Sequence, residues 1–150
     1  MVYQAVNYIL PSREMKPMEH TTSKKRILIV EDDPAVTKAF SSLLARNGYE
    51  VMTASAAMPA FFRVIQNRPD LILADLRMPM MNGLEMIGQF KIHEDTRDIP
   101  VVVVTGSTSE ESRAAAFKAG CAGFLTKPIE AVEFLAQIKK FLSGAKPMQP

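Results

Sequence analysis

Hydrophobic positions along this chain form five short apolar runs, and each run is followed by a stretch with helical spacing. Three of the runs, 27–30, 71–74 and 101–104, lack polar alternation, which is typical of strands buried on both faces. Shorter strands are predicted at 50–54 and 122–125, and helices beginning near residues 34, 57, 83, 109 and 129. Alternating strands and helices predict a single α/β domain, a doubly wound parallel sheet with helices on both faces.

Capping residues mark where several of these helices begin and end. Asp33 precedes Pro34 and is the expected cap of the first helix, while Asn82 and Gly83 begin the third. Gly48 and Gly120 are the expected stops of the first and fourth helices. The second helix is expected to bury one face, formed by Ala57, Ala60, Phe61, Val64 and Ile65.

The last helix carries more apolar residues than one sheet-facing stripe needs, namely Val132, Phe134, Leu135, Ile138, Phe141 and Leu142. Extra apolar surface of this kind marks an interface. We expect the face built from the fourth helix, the fifth strand and the last helix to bind a protein partner, a second copy or the N-terminal segment.

The N-terminal segment differs from the rest of the chain. Val2, Val6, Ile9 and Leu10 are spaced to share one face of a short helix that Pro11 would end, and a polar linker follows. Either a partly disordered tail or a short docked helix fits this pattern. The expected organisation is an extension or linker at 1–25, a domain at 26–143 and a tail at 144–150.

Composition narrows the class of protein only slightly. A length of 150 residues suits one domain with a sizeable core, and a net charge of +2 gives no reason to expect nucleic-acid binding. Cys121 is the single cysteine, which excludes an intramolecular disulfide and fits a reducing compartment. No apolar run is long enough for a membrane span, and the N-terminus is a poor signal peptide. We therefore expect a cytoplasmic protein.

Polar side chains follow four of the predicted strands. Glu31 and Asp32 follow the first strand, Asp75 the third, Thr105 the fourth and Lys127 the fifth. In a parallel sheet these strand ends lie at one edge, where ligands bind. The acidic residues alone could be only a helix cap favoured by the helix dipole, but core packing does not explain a polar residue at every one of these ends.

The residue types at this edge indicate phosphoryl chemistry. Clustered carboxylates repel one another unless a cation neutralises them, and oxygen ligands favour Mg²⁺. A carboxylate such as Asp75 can also attack phosphorus to give an aspartyl-phosphate. Its developing charge would be stabilised by a metal, by Lys127 and Thr105, and by the N–H groups of Leu76 and Gly106.

Four motifs, ILIVEDD at 27–33, DLRMPMMNG at 75–83, VVTG at 103–106 and FLTKP at 124–128, resemble the receiver domain of two-component response regulators. The resemblance covers residues 25–143 and implies a flavodoxin-like fold with strand order 2-1-3-4-5. It implies phosphorylation of Asp75 by a histidine kinase or histidine phosphotransfer protein. It also implies Mg²⁺, with Mn²⁺ as a substitute, held by Asp32, Asp75 and the backbone carbonyl of Arg77, with Glu31 acting through water. Lys127 would contact the phosphoryl group, and the peptide bond before Pro128 would be cis.

The same resemblance implies a switch between two conformations. Thr105 would move toward a phosphoryl oxygen, and the aromatic ring of Phe124 would turn inward behind it. Because phenylalanine stands where tyrosine is frequent, its inward preference is expected to depend on burial alone. Gly106 stands where alanine is common, and Arg77 and Ser107 occupy positions that tune the lifetime of the phosphoryl group.

The resulting prediction is a stand-alone receiver domain, a phosphorylation-controlled protein-binding switch rather than an enzyme. It binds no nucleic acid or membrane directly, and a homodimer is an open possibility. One alternative is a fragment of a longer transcription factor or hybrid histidine kinase. Another is a Mg²⁺-dependent phosphatase with an aspartyl nucleophile, although Arg77 stands where such an enzyme needs a second acid.

Overall fold

Five strands alternate with five helices in the computed structural model, which describes residues 23–144 and Met148. In chain order they are β1 (Arg26–Val30), α1 (Pro34–Arg46), β2 (Glu50–Ala54), α2 (Ala57–Gln66), β3 (Leu71–Ala74), α3 (Gly83–Ile92), β4 (Val101–Thr105), α4 (Glu110–Ala119), β5 (Gly123–Thr126) and α5 (Ala131–Leu142). The short helix predicted near the N-terminus lies outside the described residues.

The five strands form one parallel sheet in the order β2-β1-β3-β4-β5. Val30 at the end of β1 pairs with Ala54 on one side and with Ala74 on the other. Thr105 at the end of β4 pairs with Thr126 of β5. The predicted fold class and strand order are confirmed, and the carboxyl ends of β1, β3, β4 and β5 lie along one edge.

The core has two layers, one on each face of the sheet. The first packs α2, α3 and α4 against one face, and the second packs α1 and α5 against the other. Alternate strand residues point to opposite layers, so that Leu28 and Ile72 belong to the first and Ile27 and Leu71 to the second. Burial on both sides explains why these strands carry no polar alternation.

The predicted caps hold three of the helix ends. The Asp33 carboxylate accepts a hydrogen bond from the Ala35 N–H at 2.9 Å, and the Asn82 side chain accepts one from the Glu85 N–H at 2.9 Å. Gly120 ends α4 with a φ of 115°, a left-handed conformation that favours glycine. The last helix begins at Ala131 rather than near 129, because Glu130 has an extended backbone and is its N-cap.

The inward face of α2 is narrower than the sequence predicted. Ala57, Ala60 and Val64 are buried, but Ile65 is 78% exposed. Successive helical residues are separated by roughly 100°, so the residue after Val64 is turned out of the core. The prediction that Ile65 faces inward is therefore wrong, and α2 carries apolar side chains on its solvent side.

The last helix buries Phe134, Ile138 and Phe141 against the sheet. Val132 is 80% exposed, while Leu135 and Leu142 are only partly buried. Beyond its buried stripe this helix therefore leaves apolar surface exposed, chiefly at Val132, as its sequence indicated. Within residues 23–144, no helix has the length and apolar character needed to cross a bilayer.

A lysine outside the site holds the loop between α3 and β4. The Lys91 ammonium group donates hydrogen bonds to the carbonyl oxygens of Arg97 at 3.0 Å and Ile99 at 2.7 Å. Burial lowers the pKa of Lys91, although the charge of Asp98 opposes this. Lys91 therefore connects the end of α3 to the segment that leads into β4.

Both described ends of the chain lie at the edge of the sheet where the strands begin. The Lys25 carbonyl accepts a hydrogen bond from the Glu50 N–H at 2.9 Å, beside the starts of β1 and β2. The Met148 N–H donates to the Ala122 carbonyl at 2.8 Å, immediately before β5. Met148 also packs against the second core layer.

Candidate functional site

The polar residues predicted to converge are brought together at the carboxyl edge of the sheet. Lys127 Nζ lies 2.6 Å from Glu31 Oε1 and 3.2 Å from Asp75 Oδ2. These residues follow β5, β1 and β3, which explains how positions 96 and 52 residues apart along the chain come into contact. The ammonium group therefore bridges two carboxylates from different strands.

Three carboxylates form a compact acidic group beside this lysine. Glu31, Asp32 and Asp75 each offer one oxygen, and the three oxygens lie within 4.8 Å of one another. Asp75 is 9% exposed and Glu31 5% exposed, while Asp32 faces solvent. Hard oxygen donors at this separation fit a divalent cation such as Mg²⁺, which commonly uses one or two carboxylates and keeps several waters.

The environment of Asp75 favours its ionised form. Burial alone would raise its pKa, but the Arg77 N–H at 3.2 Å, the Thr105 hydroxyl and the Lys127 ammonium outweigh burial and lower it. The Asp75 carboxylate is therefore negatively charged at neutral pH, as a nucleophile toward phosphorus must be.

Glu31 and Lys127 respond to burial in different ways. Burial raises the pKa of Glu31, although Lys127 and the Asp33 N–H at 3.1 Å stabilise its carboxylate. For Lys127 burial favours the neutral amine, but the bond to Glu31 and the charge of Asp75 outweigh it and raise the pKa. Lys127 is therefore a protonated cation at the centre of the site.

The backbone of Asp75 is fixed by contacts on both sides. The Asp75 N–H donates to the Val30 carbonyl at 3.1 Å, and the Gly83 N–H donates to the Leu76 carbonyl at 3.0 Å. A Cβ on Gly83 would lie 2.5 Å from the Asp75 carbonyl oxygen and 2.8 Å from Leu76 Cα. Only glycine fits this close approach. The sequence identified Gly83 as a helix start but gave no sign of this contact.

The loop after β4 is held by hydroxyl groups, and of these the sequence did not single out that of Ser112. The fully buried Thr105 side chain accepts a hydrogen bond from the Ser107 N–H at 3.3 Å. The Ser112 hydroxyl lies 3.0 Å from that of Ser107 and 2.9 Å from that of Ser109. A Cβ on Gly106 would meet no atom within 4 Å, so there is open space beside this loop.

Phe124 is turned inward and buried between α4 and the sheet. The guanidinium carbon of Arg113 lies 5.6 Å from the centre of its ring and 5.1 Å from that of Phe117. Besides burial, a cation therefore lies over the π face of Phe124, a contact that the sequence-based prediction did not include. The spacing of Arg113 and Phe117, four apart on α4, signalled only the contact between those two residues.

The segment after β5 places Lys127 through the backbone as well as through its side chain. The Lys127 N–H donates to the Thr105 carbonyl at 2.8 Å, and the peptide bond between Lys127 and Pro128 is cis. Cys121, the single cysteine, is buried, and burial raises the pKa of its thiol to about 11. It takes no part in the site.

Comparison with known proteins identifies the family. The family described as response regulator receiver domain matches residues 27–139. The response regulator MprA of Mycobacterium leprae is 38% identical over 122 residues, which cover 81% of this chain and 53% of that protein. The polar-differentiation response regulator DivK of Brucella ovis is 33% identical over 121 residues, which cover 81% of this chain and 98% of that protein. The chain thus spans about half of MprA and nearly all of DivK.

One solved receiver domain has the same fold as this chain. The receiver domain of a sensor histidine kinase from Pseudomonas aeruginosa, with a magnesium ion coordinated in its active-site cleft, superposes with a TM-score of 0.75 at 25% identity. The match covers 81% of this chain and 99% of that domain. With its fold, its polar edge and its family match, this chain belongs to the response regulator receiver domains.

Proposed function

We propose that this domain is a cytoplasmic, phosphorylation-controlled protein-binding switch of a two-component system, with Asp75 as the phosphoacceptor. The observation that carries the proposal is the position of the Asp75 carboxylate at the carboxyl edge of the sheet, 3.2 Å from Lys127 Nζ. The donor would be a phosphohistidine of a kinase or phosphotransfer protein. Asp75 and a histidine nitrogen exchange the phosphoryl group: the Asp75 O–P bond forms while the P–N bond breaks, and the nitrogen keeps the electron pair.

Several groups around Asp75 are proposed to stabilise the negative charge of the phosphoryl group. Lys127 offers a protonated ammonium to the incoming phosphoryl oxygens, and the N–H groups of Leu76 and Gly106 are proposed as further donors. The open space beside Gly106 leaves room for a phosphoryl group there. The Thr105 side chain is proposed to move toward a phosphoryl oxygen, and the Phe124 ring is proposed to stay inward behind it.

The acidic group would hold Mg²⁺ or, as a substitute, Mn²⁺. Asp32, Asp75 and the backbone carbonyl of Arg77 are the proposed ligands, with Glu31 acting through water. Three carboxylate oxygens within 4.8 Å of one another support this assignment. When bound, the ion neutralises charge on the carboxylates and on the transferred phosphoryl group.

Intact-mass analysis after incubation with acetyl phosphate and Mg²⁺ tests the phosphoacceptor. Wild type should gain one phosphoryl group, and Asp75→Asn, or wild type in EDTA, should gain none. Asp33→Asn is the matched control: its carboxylate caps α1 and lies outside the acidic group, so this variant should still be modified.

Failure of wild type to gain mass has two distinct causes. If the phosphoryl group hydrolyses too fast to observe, beryllofluoride should still bind to wild type and fail to bind to Asp75→Asn. If wild type is folded and binds Mg²⁺, yet shows neither modification nor beryllofluoride binding, Asp75 is not a phosphoacceptor and the proposal is wrong. Steady turnover of a generic phosphate ester would instead indicate an enzyme.

The proposed output surface consists of α4, β5 and α5. It contains Phe124 and Arg113, and Val132 is its most exposed large apolar side chain. Because the chain matches about half of MprA, the same domain could also serve as the receiver part of a longer regulator. Measuring the native chain length, and the association state with and without beryllofluoride, separates these arrangements and tests for a homodimer.

A further inference from the structure

The solvent side of α2 carries a stripe of apolar residues that the core does not use. Met58 is 57% exposed, Phe62 61% and Ile65 78%, and they recur at the i, i+4 and i+7 spacing of one helix face. Together with the buried Ala57, Ala60 and Val64, they make α2 apolar over roughly 200° of its circumference, against the narrower stripe of an ordinary surface helix. A contiguous exposed apolar patch of this kind marks an interaction site.

The stripe borders a groove between the second half of α2 and the end of α3. The groove has a volume of about 370 Å³ and is lined mainly by Phe61, Val64, Ile65, Phe90 and His93. The rings of Phe61 and Phe90 lie 4.8 Å apart at 56° to each other and form an aromatic contact in its wall. The groove lies on the opposite face of the sheet from α1 and α5.

The chain enters the fold beside one end of this groove. The Arg26 guanidinium donates to the Arg68 carbonyl at 3.2 Å, and the Arg26 N–H donates to Asp70 Oδ2 at 2.7 Å. Arg68 borders the hollow that continues the groove along Val64 and Ile65. The described chain therefore begins next to this apolar surface, and residues 1–22 precede that point in the sequence.

The sequence of residues 1–22 complements the groove. Val2, Val6, Ile9 and Leu10 have helical spacing, and residues 1–12 contain no charged side chain. As a helix, residues 2–10 would extend about 12 Å, close to the roughly 10 Å spanned by the α2 stripe. The first charged residue after this segment is Arg13, and Asp95, which has the opposite charge, lies at the end of the groove.

We infer that residues 2–10 bind as an amphipathic helix in the groove between α2 and α3 of their own chain. Residues 11–22 could span about 40 Å if extended, which is ample for a groove beside the entry point. A short tether gives an effective concentration on the order of millimolar, so even a weak contact is occupied within one chain. This places the segment between α2 and α3, away from the surface formed by α4, β5 and α5. That surface stays free for the proposed output.

A spin label on Ser12→Cys in the full chain tests this arrangement. Cys121 is buried, and intact mass would verify that one label is attached. We expect amide signals of 58–66 and 89–96 to be broadened selectively in the isotope-labelled protein. Val6→Asp with Ile9→Asp should abolish this broadening. Gln4→Asp with Asn7→Asp adds the same charges at polar positions of the segment and should preserve it.

Mixing identifies the chain that supplies the segment. In this experiment, protein that carries the spin label but no isotope label is added to isotope-labelled protein that carries no spin label. We expect no broadening, because the contact is within one chain. Broadening in the mixture would assign the groove to a second copy and overturn the inference. The inference would also be overturned if the broadening were centred on α5. It would be overturned as well if the broadening were no stronger than in the variant with Val6→Asp and Ile9→Asp. These results are independent of phosphorylation at Asp75.

Discussion

Replacing each of two glycines in α3 by alanine should change the free energy of unfolding in opposite directions. A Cβ on Gly83 would lie 2.5 Å from the Asp75 carbonyl oxygen, whereas a Cβ on Gly88 would meet no atom within 4 Å. Real Cβ atoms essentially never approach another atom within 3.0 Å, so Gly83→Ala must displace the backbone at Asp75. Gly88→Ala adds a methyl group to open space and removes a flexible residue from a helix interior.

The magnitudes follow from these two environments. Forcing atoms into a packed site costs typically about 1–3 kcal/mol, and the lower entropy of the unfolded alanine chain offsets about 0.4–1 kcal/mol of this. Gly83→Ala should therefore lower the free energy of unfolding by about 1–2 kcal/mol. Gly88→Ala should raise it by about 0.4–1 kcal/mol.

Urea unfolding of both variants beside wild type measures the difference. With a slope of about 1–3 kcal/mol per molar urea, the midpoints of the two variants should separate by on the order of 1 M. Modification by acetyl phosphate should slow in Gly83→Ala and stay unchanged in Gly88→Ala, since only Gly83 contacts the Asp75 backbone. A midpoint of Gly83→Ala at or above that of wild type would refute the reasoning.

Three further predictions concern residues around the core. Arg113→Met should weaken the inward preference of Phe124 by about 0.5–1 kcal/mol, seen by NMR as faster exchange of its ring; unchanged exchange would contradict a role for the cation. Lys91→Met leaves two carbonyl groups without their charged donor and should cost about 1–3 kcal/mol in urea unfolding; wild-type stability would count against it. Cys121 should react with a thiol reagent at pH 8 only after unfolding. Because folding raises its pKa from 9.0 to about 11, its contribution to stability is complete below pH 9 and is lost as the pH rises toward 11.

The fold was predictable because each strand carries a strong local signal. Apolar runs such as Val101 to Val104 are long enough to specify burial on both faces, and their alternation with helices restricts the topology. The convergence of Glu31, Asp75 and Lys127 followed from that topology, because parallel strands end at one edge. Burial and connection order therefore account for most of what the sequence revealed.

What the sequence did not reveal depends on distances between elements. The approach of Gly83 to the Asp75 backbone is set by the path of the intervening loop, which has no periodic pattern. The position of Arg113 over Phe124 depends on how α4 is rotated against β5. Ile65 was misplaced because an apolar residue beside a buried stripe has the same hydropathy whether it lies inside or outside.

The positions of the chain ends have a practical consequence for surface-based assays. Lys25 and Met148 contact the edge where the strands begin, whereas Asp75 follows the end of β3. Through the strand pairing Ala122 lies level with Ile72, three residues before Asp75, so Met148 is separated from Asp75 by about 10 Å along the strand direction. An immobilising tag or dye joined after Met148 would therefore be attached away from the acidic group. Protein captured on a sensor chip through such a tag would present Asp75 outward to a soluble phosphodonor.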